Sequence, residues 1–160
     1  MDKSVDMNRF KVAGKTKVIK GSILYPENAG LRFVLSINNL QGKADGNPML
    51  PIFDKKWKKV REESRGWFAT KTGEYKLGAI RNTAVQSDTW VIHMLCQDEE
   101  LALDTKGLEE CLKKVCALAK YEKASVHVST LLCDQLSDLK SLLNKEVLSN
   151  GVNVYFYEEV

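Results

Sequence analysis

Three stretches of the sequence hold side chains whose types and spacing could do chemistry. The first is Asn38-Asn39-Leu40-Gln41-Gly42-Lys43-Ala44-Asp45-Gly46-Asn47-Pro48. Gly42 and Gly46 would let backbone N–H groups approach a phosphate, Lys43 would add charge, and a helix beginning after Pro48 would add its positive end. Two glycines in a polar loop also describe an ordinary turn. The second stretch, Ser129-Thr130-Leu131-Leu132-Cys133-Asp134-Gln135, offers hydroxyls, a thiol and one carboxylate. Asp134 there reads either as an acid–base group or as a helix cap. The third is Lys55-Lys56-Trp57-Lys58-Lys59 with Arg61 and Arg65. On a helix it would form a basic face beside an aromatic, which suits a nucleic-acid backbone, and it would equally suit a solvated helix face. Trp57, Trp67 and Phe68 could stack on unpaired bases if exposed.

Other reactive residues are less promising. His93 and His127 sit inside apolar runs with no carboxylate beside them and read as core histidines. The cysteines, Cys96, Cys111, Cys116 and Cys133, form no Cys-x-x-Cys pair, so neither a disulfide framework nor a metal site is expected. No cofactor is implied. Reduced thiols, an N-terminus without an apolar signal core, and apolar runs too short to span a bilayer give the expectation of a cytoplasmic protein with no membrane partner. The net charge of +3 conceals an asymmetry. Residues 1–81 carry 17 Lys and Arg against 8 Asp and Glu, whereas residues 82–160 carry 7 against 13. The basic half could attract phosphate or nucleic acid.

The elements that must position these residues follow from periodicity. The 160 residues suit one domain, expected over 16–160, with residues 1–15 a tail or an edge strand around Phe10 to Ala13. Strands are expected at Lys17–Lys20, Phe33–Ile37, Tyr75–Thr83, Thr89–Leu95, Ala124–Val128 and Val152–Tyr157. The link Gln86-Ser87-Asp88 predicts a hairpin between the middle pair. Leu108, Cys111, Leu112, Val115, Cys116 and Ala119 recur at helical spacing over Lys106–Glu122, with Glu110–Lys114 as an i, i+4 pair. A second stripe runs from Leu136 to Leu148, capped by Asp134 or Ser137 and stopped by Asn150-Gly151. Pro51–Arg65 gives a third helix under the basic face. This order predicts an α/β fold of three layers, α/β/α, around a mixed and mostly buried sheet.

The order of elements, opened by Lys17-Val18-Ile19-Lys20-Gly21-Ser22-Ile23, resembles that of macro domains. The strands Gly78-Ala79-Ile80 and Trp90 to Gln97, the helix Leu108 to Val115, and the last strand Val152 to Phe156 are similar to the small branch of terminal ADP-ribose glycohydrolases and ADP-ribose-1''-phosphatases. The resemblance covers about residues 17–157. It implies a cleft for ADP-ribose or a related nucleotide across the strand ends. Ser22 stands where the family has an adenine-binding aspartate, followed by Ile23. Asn38 and Asn39 fall near the terminal-ribose asparagine, and Gly42, Lys43, Asp45, Gly46 and Asn47 fall on the first phosphate loop. Ser129, Thr130, Leu131 and Cys133 fall on the second, which lacks the family's glycines. Tyr155 falls where an aromatic stacks on adenine, and core packing is the other reading of it. An activity removing ADP-ribose or a terminal phosphate would rest on Asn39 and Asp134. The lysine of the glycohydrolase branch is replaced by Gln97 and Asp98, neither of which forms a Schiff base. Two functions are therefore expected: a nucleotide-binding module with or without hydrolysis, and a module that has lost the nucleotide and contacts nucleic acid or a protein through Lys55, Lys56, Lys58, Lys59 and Arg61.

Overall fold

The computed structural model describes residues 12–71 and 74–159. Six strands form one sheet: β1 (Thr16–Lys20), β2 (Arg32–Asn39), β3 (Ile80–Gln86), β4 (Thr89–Gln97), β5 (Ser125–Ser129) and β6 (Val154–Glu158). Their spatial order is β1-β6-β5-β2-β4-β3. All neighbours are parallel except the antiparallel pair β3–β4. The sheet is mixed, as the hairpin expected at Gln86-Ser87-Asp88 implies. The central strands β2 and β5 are buried along nearly their whole length, which is why their sequences do not alternate.

The helices are α1 (Leu50–Phe53), α2 (Lys59–Thr70), α3 (Thr105–Glu122), α4 (Thr130–Gln135) and α5 (Leu139–Glu146), with a 3-10 turn at Leu148–Asn150. Strand alternation gives the sheet two unlike faces. One carries Phe33, Leu35, Ile37, Ile92, Met94, Val126, Val128 and Phe156, all buried. On this side α3 and α5 pack, with Lys140 of α5 over the Phe156 ring. The other face is unusually polar for a buried surface: Ser36, Asn38, Thr83, His93, Ser125, His127 and Ser129 all lie on it, and all are buried. α1 and α2 cover it. Asn47, just ahead of α1, donates to Ser36 Oγ at 2.9 Å, and Ser64 of α2 donates to Asn38 at 3.0 Å. Hydrogen bonding offsets the cost of burying these groups. The fold is thus three-layered, α/β/α.

Several expectations are corrected. Residues 75–79 are not strand, because Tyr75 turns inward: its ring packs edge-on against Trp67, and its hydroxyl donates to the Asn39 carbonyl at 2.6 Å. The predicted hairpin is present, with its turn at Ser87–Asp88. Pro51–Arg65 is not one helix. The chain breaks between Phe53 and Lys59, which lets Phe53, Trp57 and Val60 all reach the core. Lys55, Lys56 and Lys58 lie on the connection, so the basic residues do not share one helical face. The last stripe begins as a helix only at Leu139. Neither Asp134 nor Ser137 caps it, Asp138 occupying the cap position without a side-chain bond. Gly151, at φ +92°, is the stop that the sequence predicts. The 105–122 helix is as expected, and its cap is Asp104, which accepts from the Gly107 N–H at 3.0 Å. Its expected Glu110–Lys114 pair is not formed. Lys114 donates instead to the Gly78 carbonyl at 2.8 Å, and Glu109 pairs with Lys113. Phe10 and Lys11 lie outside the described residues, and Val12 and Ala13 are not in a strand. Among the described residues, no helix is long and apolar enough to cross a membrane.

Candidate ligand site

The first candidate loop begins where β2 ends. Asn39 is buried, and its side chain is committed to the loop itself. Its Oδ1 accepts from the N–H groups of Gln41 and Lys43 at 3.0 and 3.1 Å, and its Nδ2 donates to the Lys43 carbonyl at 2.7 Å. Asn38 is tied to Ser64 of α2. Asn47 bonds Ser36 and the Ile37 carbonyl, and accepts from the Met49 N–H. The three asparagines therefore shape the loop from within. Gly42 has φ +66°, and a side chain there would stand 2.3 Å from the Phe68 ring. A side chain at Gly46 would stand 2.8 Å from Gln97 Oε1. Both glycines answer to close packing inside the chain. The outward side of the loop offers Lys43, Ala44 and Asp45, all exposed.

The second candidate stretch is not a loop. β5 ends at Ser129, whose hydroxyl caps α4 by accepting from the Leu131 N–H at 3.2 Å, and the chain enters that helix at once. Thr130 is tied to the Tyr157 carbonyl, Leu132 is in the core, and Leu131 is 40% exposed. Without glycine at this turn, the residues follow the helical path open to any side chain. Cys133 and Asp134 line a cavity of about 310 Å³ with Thr130, Lys140, Phe156 and Val18. This cavity includes no residue of the 38–48 loop.

Ser22 and Ile23 follow β1. The Ser22 hydroxyl accepts from the Leu24 N–H at 3.1 Å, and the Ile23 N–H donates to Glu159 at 3.0 Å. Beside them lies a cavity of about 290 Å³ lined by Ser22, Leu24, Tyr25, Ile52, Lys55, Lys56 and Glu159. It opens at the carboxyl ends of β1 and β6, the end of an open α/β sheet where ligands bind. Tyr25, 71% exposed, forms one wall. Lys56 lies over one face of its ring, 4.0 Å from the centroid, and donates to the Leu24 carbonyl at 3.0 Å. Lys55 is exposed and has no ion-pair partner among the described residues. The resemblance pointed to Ser22, but nothing in the sequence signalled Tyr25 or Glu159, which are separated by 134 positions and are brought to one end of the sheet by the β1–β6 pairing.

The remaining candidates are structural. Tyr155 stacks on His127, with centroids 4.7 Å apart and planes within 5°. The Tyr157 hydroxyl accepts from the Glu27 N–H and meets His127 Nδ1 at 2.8 Å, while His127 Nε2 meets Ser125 Oγ at 2.7 Å. Burial, with Arg32 adding to it, pushes the His127 pKa down to about 3. Burial, aided by Arg81, holds that of His93 at about 4, and its Nε2 meets Thr83 Oγ1 at 2.9 Å. Both rings are neutral at physiological pH. Burial drives Cys111 up to about 12 and Cys133 to about 11, so neither is a thiolate nucleophile. Gln97 and Asp98 shape the turn after β4: Gln97 donates to the Leu101 carbonyl, and Asp98 accepts from Glu100 and Ala102. Trp57 and Trp67 are buried, and Phe68 is half-buried against Gly42 and Tyr75, so none presents a face for stacking on bases. Among the described residues, no cluster of three or more His, Cys, Asp or Glu could hold a metal ion.

No family model matches the chain, and no curated protein matches it. Solved structures do. A macrodomain protein of Streptomyces coelicolor superposes with a TM-score of 0.81 at 20% identity, over 90% of this chain and 99% of that one. A protein of Bacteroides thetaiotaomicron gives 0.79 at 23% identity, over 91% and 99%. The macrodomain of Mycobacterium tuberculosis DarG gives 0.62 at 17% identity, over 89% and 97%. At such identities the likeness establishes the fold.

Proposed function

From the macrodomain fold as premise, we propose that the chain is a binding module for a nucleotide of the ADP-ribose type and that it does not hydrolyse its ligand. The observation that carries this reading is the cavity of about 290 Å³ at the carboxyl ends of β1 and β6. Its chemistry suits a nucleotide. Tyr25 offers a ring for stacking on the base. The Glu159 carboxylate accepts from an exocyclic amine, and the Ser22 hydroxyl, whose oxygen already holds the Leu24 N–H, has its proton to donate. Lys55 meets phosphate oxygens as a point charge.

The absence of hydrolysis rests on the commitments of the side chains. The Asn39 amide is engaged inside its own loop, Asp134 lines a different cavity, the histidines are buried and neutral, and no lysine stands at Gln97 or Asp98. Calorimetry with ADP-ribose at millimolar concentration tests binding. We expect saturable heat that Tyr25→Ala weakens about tenfold, the loss of one base–aromatic stack. No heat at that concentration would sink the reading. Incubation with ADP-ribose-1''-phosphate should leave the ligand intact.

A further inference from the structure

The cavity of about 310 Å³ beside α4 lies on the face of the sheet that carries Phe156, and we infer that it binds a small zwitterion with an apolar body, an α-amino acid of the leucine or phenylalanine kind. Val18 and Phe156 are register partners on β1 and β6, so their side chains share that face. Glu158, the next residue of β6 on the same face, lines the cavity too, whereas its neighbour Glu159 lines the nucleotide cavity. The two cavities share no residue, and this one does not depend on the nucleotide reading.

The floor is apolar. Phe156 is buried, while Val18 beside it is 58% exposed and has apolar area left to cover. One wall is a face of α4, where Thr130, Cys133 and Asp134 stand at i, i+3, i+4. The Thr130 hydroxyl gives its proton to the Tyr157 carbonyl at 3.2 Å and keeps lone pairs for a donor. Lys140 of α5 reaches over the floor, its Nζ 5.6 Å from the centre of the Phe156 ring. Lys140 and Asp134 both act on the Cys133 sulfur, so the two charges face the same space. Yet among the described residues neither they nor Glu158 form an ion pair. Unpaired charges of both signs around an apolar floor match a molecule that carries both. Its carboxylate meets Lys140, its ammonium meets Asp134, Glu158 and the Thr130 oxygen, and its side chain covers Val18 and Phe156. The cavity has the volume of about ten waters in liquid, which fits an amino acid and excludes a nucleotide. Two carboxylates against one ammonium also disfavour a phosphate.

The test is a titration of ¹⁵N-labelled chain, at constant pH and ionic strength, with leucine, glycine, leucinamide and isocaproate. The last two keep the apolar body and lack the carboxylate or the ammonium. We expect saturable shifts of the Val18, Cys133 and Lys140 amides with leucine, and binding about tenfold weaker for each of the other three, which lack one part of the contact. Lys140→Gln should weaken leucine about tenfold and leave leucinamide unchanged. Asp134→Asn with Glu158→Gln should weaken leucine and leave isocaproate no weaker. All three charged side chains are exposed, so these variants should keep the wild-type melting temperature. Tyr25→Ala should bind leucine like the wild type, which separates this site from the nucleotide cavity. The inference is overturned if the leucine shifts fail to saturate where a millimolar site would fill, if glycine, leucinamide or isocaproate binds as tightly as leucine, or if the charge variants bind leucine as the wild type does.

Discussion

Asn39 is buried at the end of β2, and both polar atoms of its side chain hold the loop that follows. Asn39→Ala removes three hydrogen bonds and strands their backbone partners. Each is worth about 1 kcal/mol net, so a destabilisation of roughly 2–4 kcal/mol is expected, read as a lower denaturant midpoint. A variant as stable as the wild type would return Asn39 to the list of groups free to touch a ligand. The sequence shows that Asn38, Asn39 and Asn47 are unusual residues beside a strand end. It does not show which way they face, since an asparagine that shapes a loop and one that reads a ribose are the same letter. The same limit applies to Gly42 and Gly46. Their neighbours across the gap, Phe68 and Gln97, lie 26 and 51 residues further along the chain, beyond the reach of local pattern.

The elements with strong periodicity were legible, and the misread ones were short. α3 and the buried strands β2 and β4 carry enough apolar residues in register to declare themselves. The segment after β5 did not. Its apolar content, Leu131-Leu132-Cys133, fits a loop lid as well as a single helical turn, and the Ser129 cap that decides between them takes one residue. The basic run misled for a related reason. Phe53, Trp57 and Val60 are spaced for a helix, yet all three are buried by breaking it, because the connection can turn each toward the core separately. Tyr75 read as strand because an aromatic beside apolar residues has strand character, whereas its ring wedges between Trp67 and Phe68.

For the molecule as a whole, His93 and His127 couple stability to pH. Their native pKa values, about 4 and about 3, lie below the ordinary 6.5 of an imidazole. The unfolded chain therefore takes up protons first as pH falls. The stability that the neutral rings contribute is complete above about pH 6.5 and declines as pH drops toward the native values. The slope is at most about 1.4 kcal/mol per pH unit for each ring. Denaturant midpoints between about pH 7.5 and 4.5 should show the decline, and His93→Gln should make it shallower. Identical profiles for the two proteins would refute the assignment to His93. The two helical layers on this sheet are also unequal. α3 buries Leu108, Cys111, Leu112, Val115, Cys116 and Ala119, whereas α2 buries only Val60 and Trp67 and otherwise relies on bonds such as Ser64–Asn38. Amide protons of α2 should therefore trade with deuterium through local openings that leave α3 closed. The nucleotide cavity draws walls from α1 and the connection to α2, so a bound ligand would slow exchange in that layer by mass action and leave α3 unchanged. An occupied pocket would then be recognised by where the protein stops breathing.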